Sequence, residues 1–433
     1  MHKGPAGQSL RAVVSAVAIT LSLQILCSLA ITAPPVLAPV AALALGMEPS
    51  RVGLLVALTY LSGVPSGLVC GRLLARYGTL RVCQMASLLS GLGLLGYAST
   101  GMAAAFSAPA VVLVLLLLMS AVLTGAGLGL NAPASSQLLF KASPARMRAF
   151  IFSVKQTGVP AGGALGGLLI PALLLWFSWE ISLVVLAFMV SVHALFLVKS
   201  KHDRMSSPSS SPPPGGAAGH SLRGFFAPVF LVLRHKPILE MAIVSFMMMV
   251  TQTCLAAFFV SYLKLELGMS LASAGLLFAV TQAAGVVGRI LWGMSADRWF
   301  APRLQLAMLG VGAGLSSLGV AAFAADWPLS AMVVVSALIG STAVGWNGVM
   351  LSEVARLAPE GEVGTVTGGT QMFTFGGAVI GPILFAMLVG ATNNYAACFA
   401  LASIPALGVG ARLLLRSPPA PPARQSGILT AKP

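Results

Sequence analysis

The chain has 433 residues, 57% of them hydrophobic and only 8% charged, with a mean hydropathy of +0.94 and a formal net charge of +15. Soluble domains carry roughly 25% charged residues, so this composition excludes a water-soluble enzyme and any disordered or fibrous chain, and leaves a polytopic membrane protein. In a soluble protein the positive balance would suggest nucleic acid; here the basic residues fall in short gaps between apolar runs, which is a topology signal and implies no nucleic-acid partner.

A spanning helix needs about 20 apolar residues. The first such run, 12–36, follows Lys3 and Arg11 as the core of a signal peptide would, but it continues without a small-residue cleavage site and reads as a permanent span. Further runs follow at 51–71, 82–104, 109–139, 149–172 and 178–198, and after a gap at 238–264, 271–294, 304–325, 328–355, 364–390 and 392–415. They lack the short alternation of a membrane barrel, so an all-α membrane protein of twelve transmembrane helices is expected, each satisfying its own backbone in lipid. Residues 1–198 then form an N-terminal six-helix bundle and 238–415 a C-terminal one. Between them, 199–237 contains SSPSSSPPPGGAAGH and is expected to be a flexible cytoplasmic linker; the tail 416–433 has the same disordered character. Cys27, Cys70, Cys83, Cys254 and Cys398 are scattered without a CxxC pattern and are expected to pack as small apolar residues.

With the N-terminus in the cytoplasm, 21 of the 25 Lys and Arg fall in cytoplasmic segments and only Arg51 and Lys264 lie opposite, leaving Lys155 and Arg289 inside spans. Both termini and the linker are therefore expected to face the cytoplasm, in a cytoplasmic (inner) membrane, with the lipid bilayer around a monomer.

Sliding the chain by 222 residues lays Leu45–Arg76 without a gap on Leu267–Arg298, with 12 of 32 positions identical, among them 46, 53, 63, 71 and 76. At offsets of 215 to 216, Asn131 pairs with Asn347, Gln156 with Gln371, Gly162 with Gly377 and Gly166 with Gly381. Six spans is an even number, so the second half is a copy in the same orientation. Two parallel six-helix halves imply a central cavity near the membrane midplane. Gly158, Gly162 and Gly166 form a smooth stripe, as do Gly377 and Gly381, suited to static close packing or to a sliding surface between helices.

The second and third helices are joined by GRLLARYGTLR (Gly71–Arg81), and the eighth and ninth by GMSADRW (Gly293–Trp299). These resemble the cytoplasmic loop signature of the major facilitator superfamily, as the glycine-rich fifth and eleventh helices resemble its hairpin region. The second copy keeps Asp297 and Arg298, whereas the first has Ala75 at the position of the acid. The resemblance implies the major facilitator fold and alternating access. Its loop residues Gly71, Arg72, Arg76, Gly78, Arg81, Gly293, Asp297 and Arg298, with Glu353 and Arg356, form the candidate gating set.

An embedded Arg or Lys costs about 2.5–3.5 kcal/mol on insertion scales, so it normally faces a cavity or a partner. Arg289 lies eight residues before Asp297, about 12 Å along a helix, well within a core roughly 30 Å thick. Gln282 and Gly285 share its face. An Arg at this place resembles that of nitrate/nitrite porters, monocarboxylate porters, the oxalate:formate exchanger and cyanate/nitrate porter-like branches. That resemblance implies an anion anchor whose guanidinium fork matches a carboxylate. The residues alone also allow a structural Arg held by carbonyls, or one snorkelling to the headgroups.

Lys155 is expected to snorkel to the cytoplasmic surface on its four-carbon stem. Glu353, three residues before Arg356, is expected to form an ion pair or gate, and His193 to pack in the core. None of the ten acidic residues lies deep in the first six helices, which disfavours a proton-coupled exporter of cations and favours an anionic substrate. Neutral lining candidates are Gln24, Tyr60, Asn131, Gln252, Gln282, Trp346, Asn347 and Gln371, each equally able to serve as an interhelical clamp.

These features describe a secondary active transporter for a small organic or inorganic anion, foremost a monocarboxylate, driven by a co-transported proton or an exchanged anion. An exporter of neutral or amphipathic drugs or metabolites is the second reading and a non-transporting membrane sensor the third. With no nucleotide loop, metal cluster or nucleophile–base constellation in view, neither enzymatic activity nor a cofactor is expected.

Overall fold

The structure, a computed structural model, describes residues 10–144, 147–198, 222–298, 300–359 and 362–415. Among them every regular element is helical. The first half comprises α1 (Leu10–Ala44), α2 (Val52–Tyr77), α3 (Thr79–Ala105), α4 (Ala110–Ala142), α5 (Arg148–Gln156), α6 (Gly158–Leu173) and α7 (Trp179–Val198). After α8 (Leu222–Arg234) the second half follows as α9 (Lys236–Ser261), α10 (Leu271–Arg298), α11 (Pro302–Ala321), α12 (Leu329–Ile339), α13 (Asn347–Leu357), α14 (Val363–Thr392) and α15 (Tyr395–Leu415).

Eleven segments are individually long and apolar enough to cross a membrane. The span expected at 149–172 is divided at Thr157 into α5 and α6, and with that pair the twelve-helix arrangement is complete. Thr157 still carries the chain on helically, because its carbonyl accepts the Ala161 N–H at 3.0 Å. Pro160 has no N–H, so the Gln156 carbonyl one position earlier has no donor in its own helix.

The expectation of an entirely flexible stretch over 199–237 does not hold. Leu222–Arg234 is a helix, and the Pro228 carbonyl lies hard against Gly369 of α14. Its apolar residues recur at helical spacing, and Val232 is buried while Phe230 and Leu233 are exposed. The Ser/Pro/Gly tract and the tail 416–433 lie outside the described residues.

The repeat is visible in the turns. Gly46 and its copy Gly268 both sit in the left-handed region, at φ 62° and 67°, where an L side chain is strained. It is visible again between the halves. At the end away from the linker, a Cβ on Gly53 of α2 would lie 2.5 Å from the Pro382 carbonyl and 3.1 Å from Ala386 on α14. Its copy Gly275 on α10 is held equally close to Gly167 and Pro171 of α6, which are the offset-215 partners of Pro382 and Ala386. Small residues thus let the two halves touch backbone to backbone along two pseudo-equivalent seams.

The glycine stripes noted in the sequence serve a different surface. Gly158, Gly162 and Gly166 pack on α1 of their own half, and Gly377 and Gly381 pack on α9 of theirs. The residues that face the other half are Gly163 and Gly167, one step round the helix. Within the second half, a Cβ on Gly310 would fall 2.9 Å from the Gly410 Cα and 3.0 Å from the Ala406 carbonyl. Gly310→Val is expected to destabilise the protein by about 1–3 kcal/mol through overpacking, read as a lower thermal midpoint in detergent.

Candidate functional site

A cavity of about 80 Å³ lies between the halves. Four of the eight neutral lining candidates reach it, Gln24 from α1, Tyr60 from α2, Gln252 from α9 and Gln282 from α10, and Arg289 is not among its lining residues. Beside Gln24 stand Ser28 and Thr32, which also line it. Positions 24, 28 and 32 form one helical face, a polar stripe legible in the sequence but overlooked there.

Trp346 and Asn347 do not line the cavity but orient a residue that does. The Trp346 Nε1–H donates to Gln252 Oε1 at 2.9 Å, and Asn347 Nδ2 approaches the same oxygen at 3.4 Å. An indole can only donate, so the amide oxygen is turned away and the Gln252 Nε2 donors remain for the cavity. Across the cavity the Tyr60 ring meets Phe375 of α14 with centroids 6.2 Å apart. Gln371, half-buried on α14, is not among the lining residues. Asn131 is fully buried in α4, and neither its Oδ1 nor its Nδ2 has a partner.

Arg289 is buried in the bundle, two turns beyond Gln282 toward the linker end. Its Nε donates to the Val344 carbonyl at 3.1 Å and its Nη1 to the Gln156 carbonyl at 2.6 Å. Val344 belongs to the π-type turn Gly340–Val344 between α12 and α13 and itself lines the cavity. Gln156 is on α5, so the guanidinium bridges the two halves. It occupies the carbonyl that Pro160 leaves without a donor. The sequence pattern Gln156-x-x-x-Pro160 signals such an orphan. Among the described residues the ion pairs involve Glu240 with Arg303 and Arg412, and Glu353 with Arg356; none reaches Arg289.

Lys155 does not snorkel as expected. Only 2% exposed, it turns into the first half, where its Nζ donates to Ser136 Oγ at 2.9 Å and to the Ala132 carbonyl at 3.3 Å, both on α4. His193 packs with its Nε2 2.8 Å from Ser22 Oγ, and all five cysteines are buried. In the loop set, Gly78 joins α2 to α3 at φ 80°. Gly71 and Gly293 have open space where a Cβ would stand, and Arg76 lies over the Tyr77 ring at 5.3 Å; Arg72 and Arg81 are exposed. The side chains of Asp297 and Arg298 lie outside those described. Glu353 is wholly buried and accepts from Arg356 Nε at 2.8 Å and Nη2 at 2.7 Å, an ion pair within one turn of α13.

Residues 20–382 match the family model described as Major Facilitator Superfamily. A hexuronate transporter of Bacillus subtilis (strain 168) is 23% identical over 299 residues, which is 66% of this chain and 69% of that protein. Among solved structures, the nucleoside transporter NupG aligns with a TM-score of 0.72 at 14% identity, over 92% of this chain and 99% of that one. The peptide transporter POT gives 0.68 at 15% identity, over 92% and 93%. A bacterial homologue of the human lysosomal transporter Spinster gives 0.65 at 16% identity, over 94% and 95%. These likenesses establish the fold.

Arg356→Ala leaves the buried Glu353 carboxylate without its donors, and is expected to cost about 1–3 kcal/mol of stability. Adding Glu353→Gln to that variant is expected to recover most of the loss, because the stranded charge is then gone; thermal midpoints of the single and double variants measure both effects.

Proposed function

The chain belongs to the Major Facilitator Superfamily, and from that premise we propose that this transporter carries a small anion, foremost a monocarboxylate, across the cytoplasmic membrane by alternating access to its central cavity. One observation carries the reading: a buried guanidinium beneath the cavity is satisfied only by neutral carbonyls, and no carboxylate among the described residues pairs with it. A cation kept in the membrane interior without a fixed counter-charge marks a substrate or ion pathway and can receive an anion. The named relative supports the same chemistry, since a hexuronate is a carboxylate.

Size favours a smaller ligand than a hexuronate in this conformation. A cavity needs about 10–15 Å³ to hold one water, so one of about 80 Å³ suits a small molecule. Gln24, Gln252 and Gln282 offer neutral donors and acceptors to the remainder of such a molecule.

In the cycle we infer, the carboxylate enters from one side, displaces the Gln156 and Val344 carbonyls, and takes two parallel hydrogen bonds from Arg289. Charge-assisted, bidentate bonds are stronger than those to neutral carbonyls. Releasing Gln156 also releases a tie between the halves, which couples occupancy to their movement. The close packing of Gly53 on Pro382 and of Gly275 on Gly167 would part when the cavity opens away from the linker. Both termini and the linker face the cytoplasm, and a co-transported proton or an exchanged anion supplies the driving force. A second reading, export of neutral or amphipathic compounds with a purely structural Arg289, is favoured by the same two carbonyl bonds.

Counterflow of candidate carboxylates in proteoliposomes decides between them. Arg289→Lys keeps the charge but loses the fork, and is expected to lower uptake by about tenfold or more with insertion and abundance unchanged; unaltered kinetics would remove the anchor. Gly275→Val is expected to wedge α10 from α6, abolishing transport while raising the labelling of Cys27, which lines the cavity, by a reagent added from outside.

A further inference from the structure

Lys155 poses a problem that the Arg289 reading does not solve. Its ammonium carries three donors, of which two are met by Ser136 Oγ and the Ala132 carbonyl. No carboxylate among the described residues pairs with it. A buried charge with only neutral partners is costly. Lys155 could have been accommodated by reaching out to water, and its side chain does not do so.

Its surroundings are equally unfinished. Ser90 Oγ lies 3.7 Å from Cys27 Sγ and abuts Gly127, which sets α1, α3 and α4 level at that height. One turn toward the chain termini, the same level carries Gln24 on α1 and Asn131 on α4. Asn131 is fully buried with both polar atoms unpartnered, and Gln24 Oε1 is likewise buried and unpartnered. Orphaned buried amides are rare in folded proteins and mark places where a partner belongs. The Gln24 side chain packs over Gly158, three residues past Lys155. Gln24 and Val159, one turn along the helix from Lys155, both line the central cavity. Gln24 on the cavity wall, Asn131 at the same height on α4 and the Lys155 ammonium on α5 are therefore three incompletely partnered polar groups of the first half.

We propose that Lys155, with Asn131 and Gln24, forms a second carboxylate subsite on the first half, so that the loaded carrier holds two negative charges, one at Arg289 and one at Lys155. The inference rests on the anion reading of Arg289 and extends it across the cavity. Lys155 Nζ and Asn131 Nδ2 donate to the carboxylate, and Gln24 Oε1 accepts from a hydroxyl or a water carried with it. A single monocarboxylate leaves one of the two embedded cations uncompensated. One dicarboxylate, or two monocarboxylates bound together, neutralises both.

The test uses the purified full-length protein and its Lys155→Gln, Lys155→Arg and Arg289→Lys variants, with acetate, malonate and succinate as probes and chloride as the ionic-strength control. Affinity is read from thermal midpoints against probe concentration, and stoichiometry from equilibrium dialysis of labelled probe. Lys155→Gln is expected to be at least as stable as the wild type without ligand, since an uncompensated charge is removed. If the source is a dicarboxylate, Lys155→Gln and Arg289→Lys each weaken malonate or succinate at least tenfold. If it is two monocarboxylates, acetate falls from two bound equivalents to one in Lys155→Gln. Lys155→Arg restores binding in either case. A Lys155→Gln protein that is less stable yet binds every probe as the wild type does would overturn the subsite and leave a structural tie between α4 and α5. So would a Lys155→Arg protein binding no better than Lys155→Gln. Loss in Arg289→Lys alone overturns the subsite and leaves the anchor standing. Loss in Lys155→Gln alone overturns the anchor and with it the two-charge carrier, leaving a single anion site at Lys155. A wild-type protein that responds to no carboxylate beyond chloride overturns both.

Discussion

The arrangement turns on one backbone carbonyl. In a lipid environment every polar group must find its partner inside the protein, and Pro160 removes the amide that the Gln156 carbonyl would otherwise accept from. Arg289 supplies the replacement from the opposite half. The two residues complement each other: the proline leaves an acceptor without its helical donor, and the arginine brings one to it. The duplication provides a control within the same chain. The offset-215 partners of Gln156 and Pro160 are Gln371 and Phe375, and the offset-222 partner of Arg289 is Gly67. Phe375 has its own N–H, so Gln371 lacks the orphan, and Gly67 lacks any side chain to reach it. Arginine and proline are present in one copy and absent from the other as a pair.

This makes the two seams between the halves alike at one end and different at the other. Away from the linker, Gly53 on Pro382 and Gly275 on Gly167 are the same contact made twice. Toward the linker, one seam carries a guanidinium bridge, while the other has the Tyr60 ring against Phe375. Two symmetric halves would offer a ligand two equivalent surfaces. The asymmetry places a guanidinium bridge beyond the cavity on the α10 side and an aromatic pair on the α2 side.

Much of this was legible in the sequence, for definable reasons. Twelve spans follow from run length and the scarcity of charge, and the gapless match of Leu45–Arg76 to Leu267–Arg298 predicts the paired glycine turns and paired seams. Gln24, Tyr60, Gln252 and Gln282 were recognisable because a polar side chain in a span must face something other than lipid. Facing direction was the harder matter. Lys155 sits close enough to the linker end for its stem to reach water, and nothing in its spacing reveals that Ser136 and Ala132 offer acceptors on the inner side. The stripe Gly158–Gly162–Gly166 was visible as a smooth face, but which neighbour it meets depends on the rotation of α6, and α1 proved to be that neighbour. The helix Leu222–Arg234 was hidden by the Ser/Pro/Gly tract before it, whose composition dominated the whole interval. Trp346 and Asn347 read from the sequence as lining groups, whereas their side chains meet Gln252 Oε1, a contact that needs the position of a third residue.

The chemistry of the two ends bears on how such a carrier could respond to its cargo. Close van der Waals contact between glycine backbones depends on distance and little else, so the seams at Gly53 and Gly275 discriminate poorly between an empty and an occupied cavity. A hydrogen bond from a guanidinium to a carbonyl is different, because a carboxylate competes for the same donor and forms the stronger pair. A ligand shifts a conformational equilibrium only by its difference in affinity for the two states. The groups able to create that difference are those whose present partners an anion can replace: the Gln156 and Val344 carbonyls at Arg289, and Ser136 and the Ala132 carbonyl at Lys155. Both cations hold α5: Lys155, one of its own residues, ties it to α4 within the first half, and Arg289 bonds the carbonyl of the next residue, Gln156, from the second. Immediately after that residue the helix divides at Thr157. The segment held by exchangeable bonds thus lies at the junction of α5 and α6, and a ligand that took either cation would act on it directly.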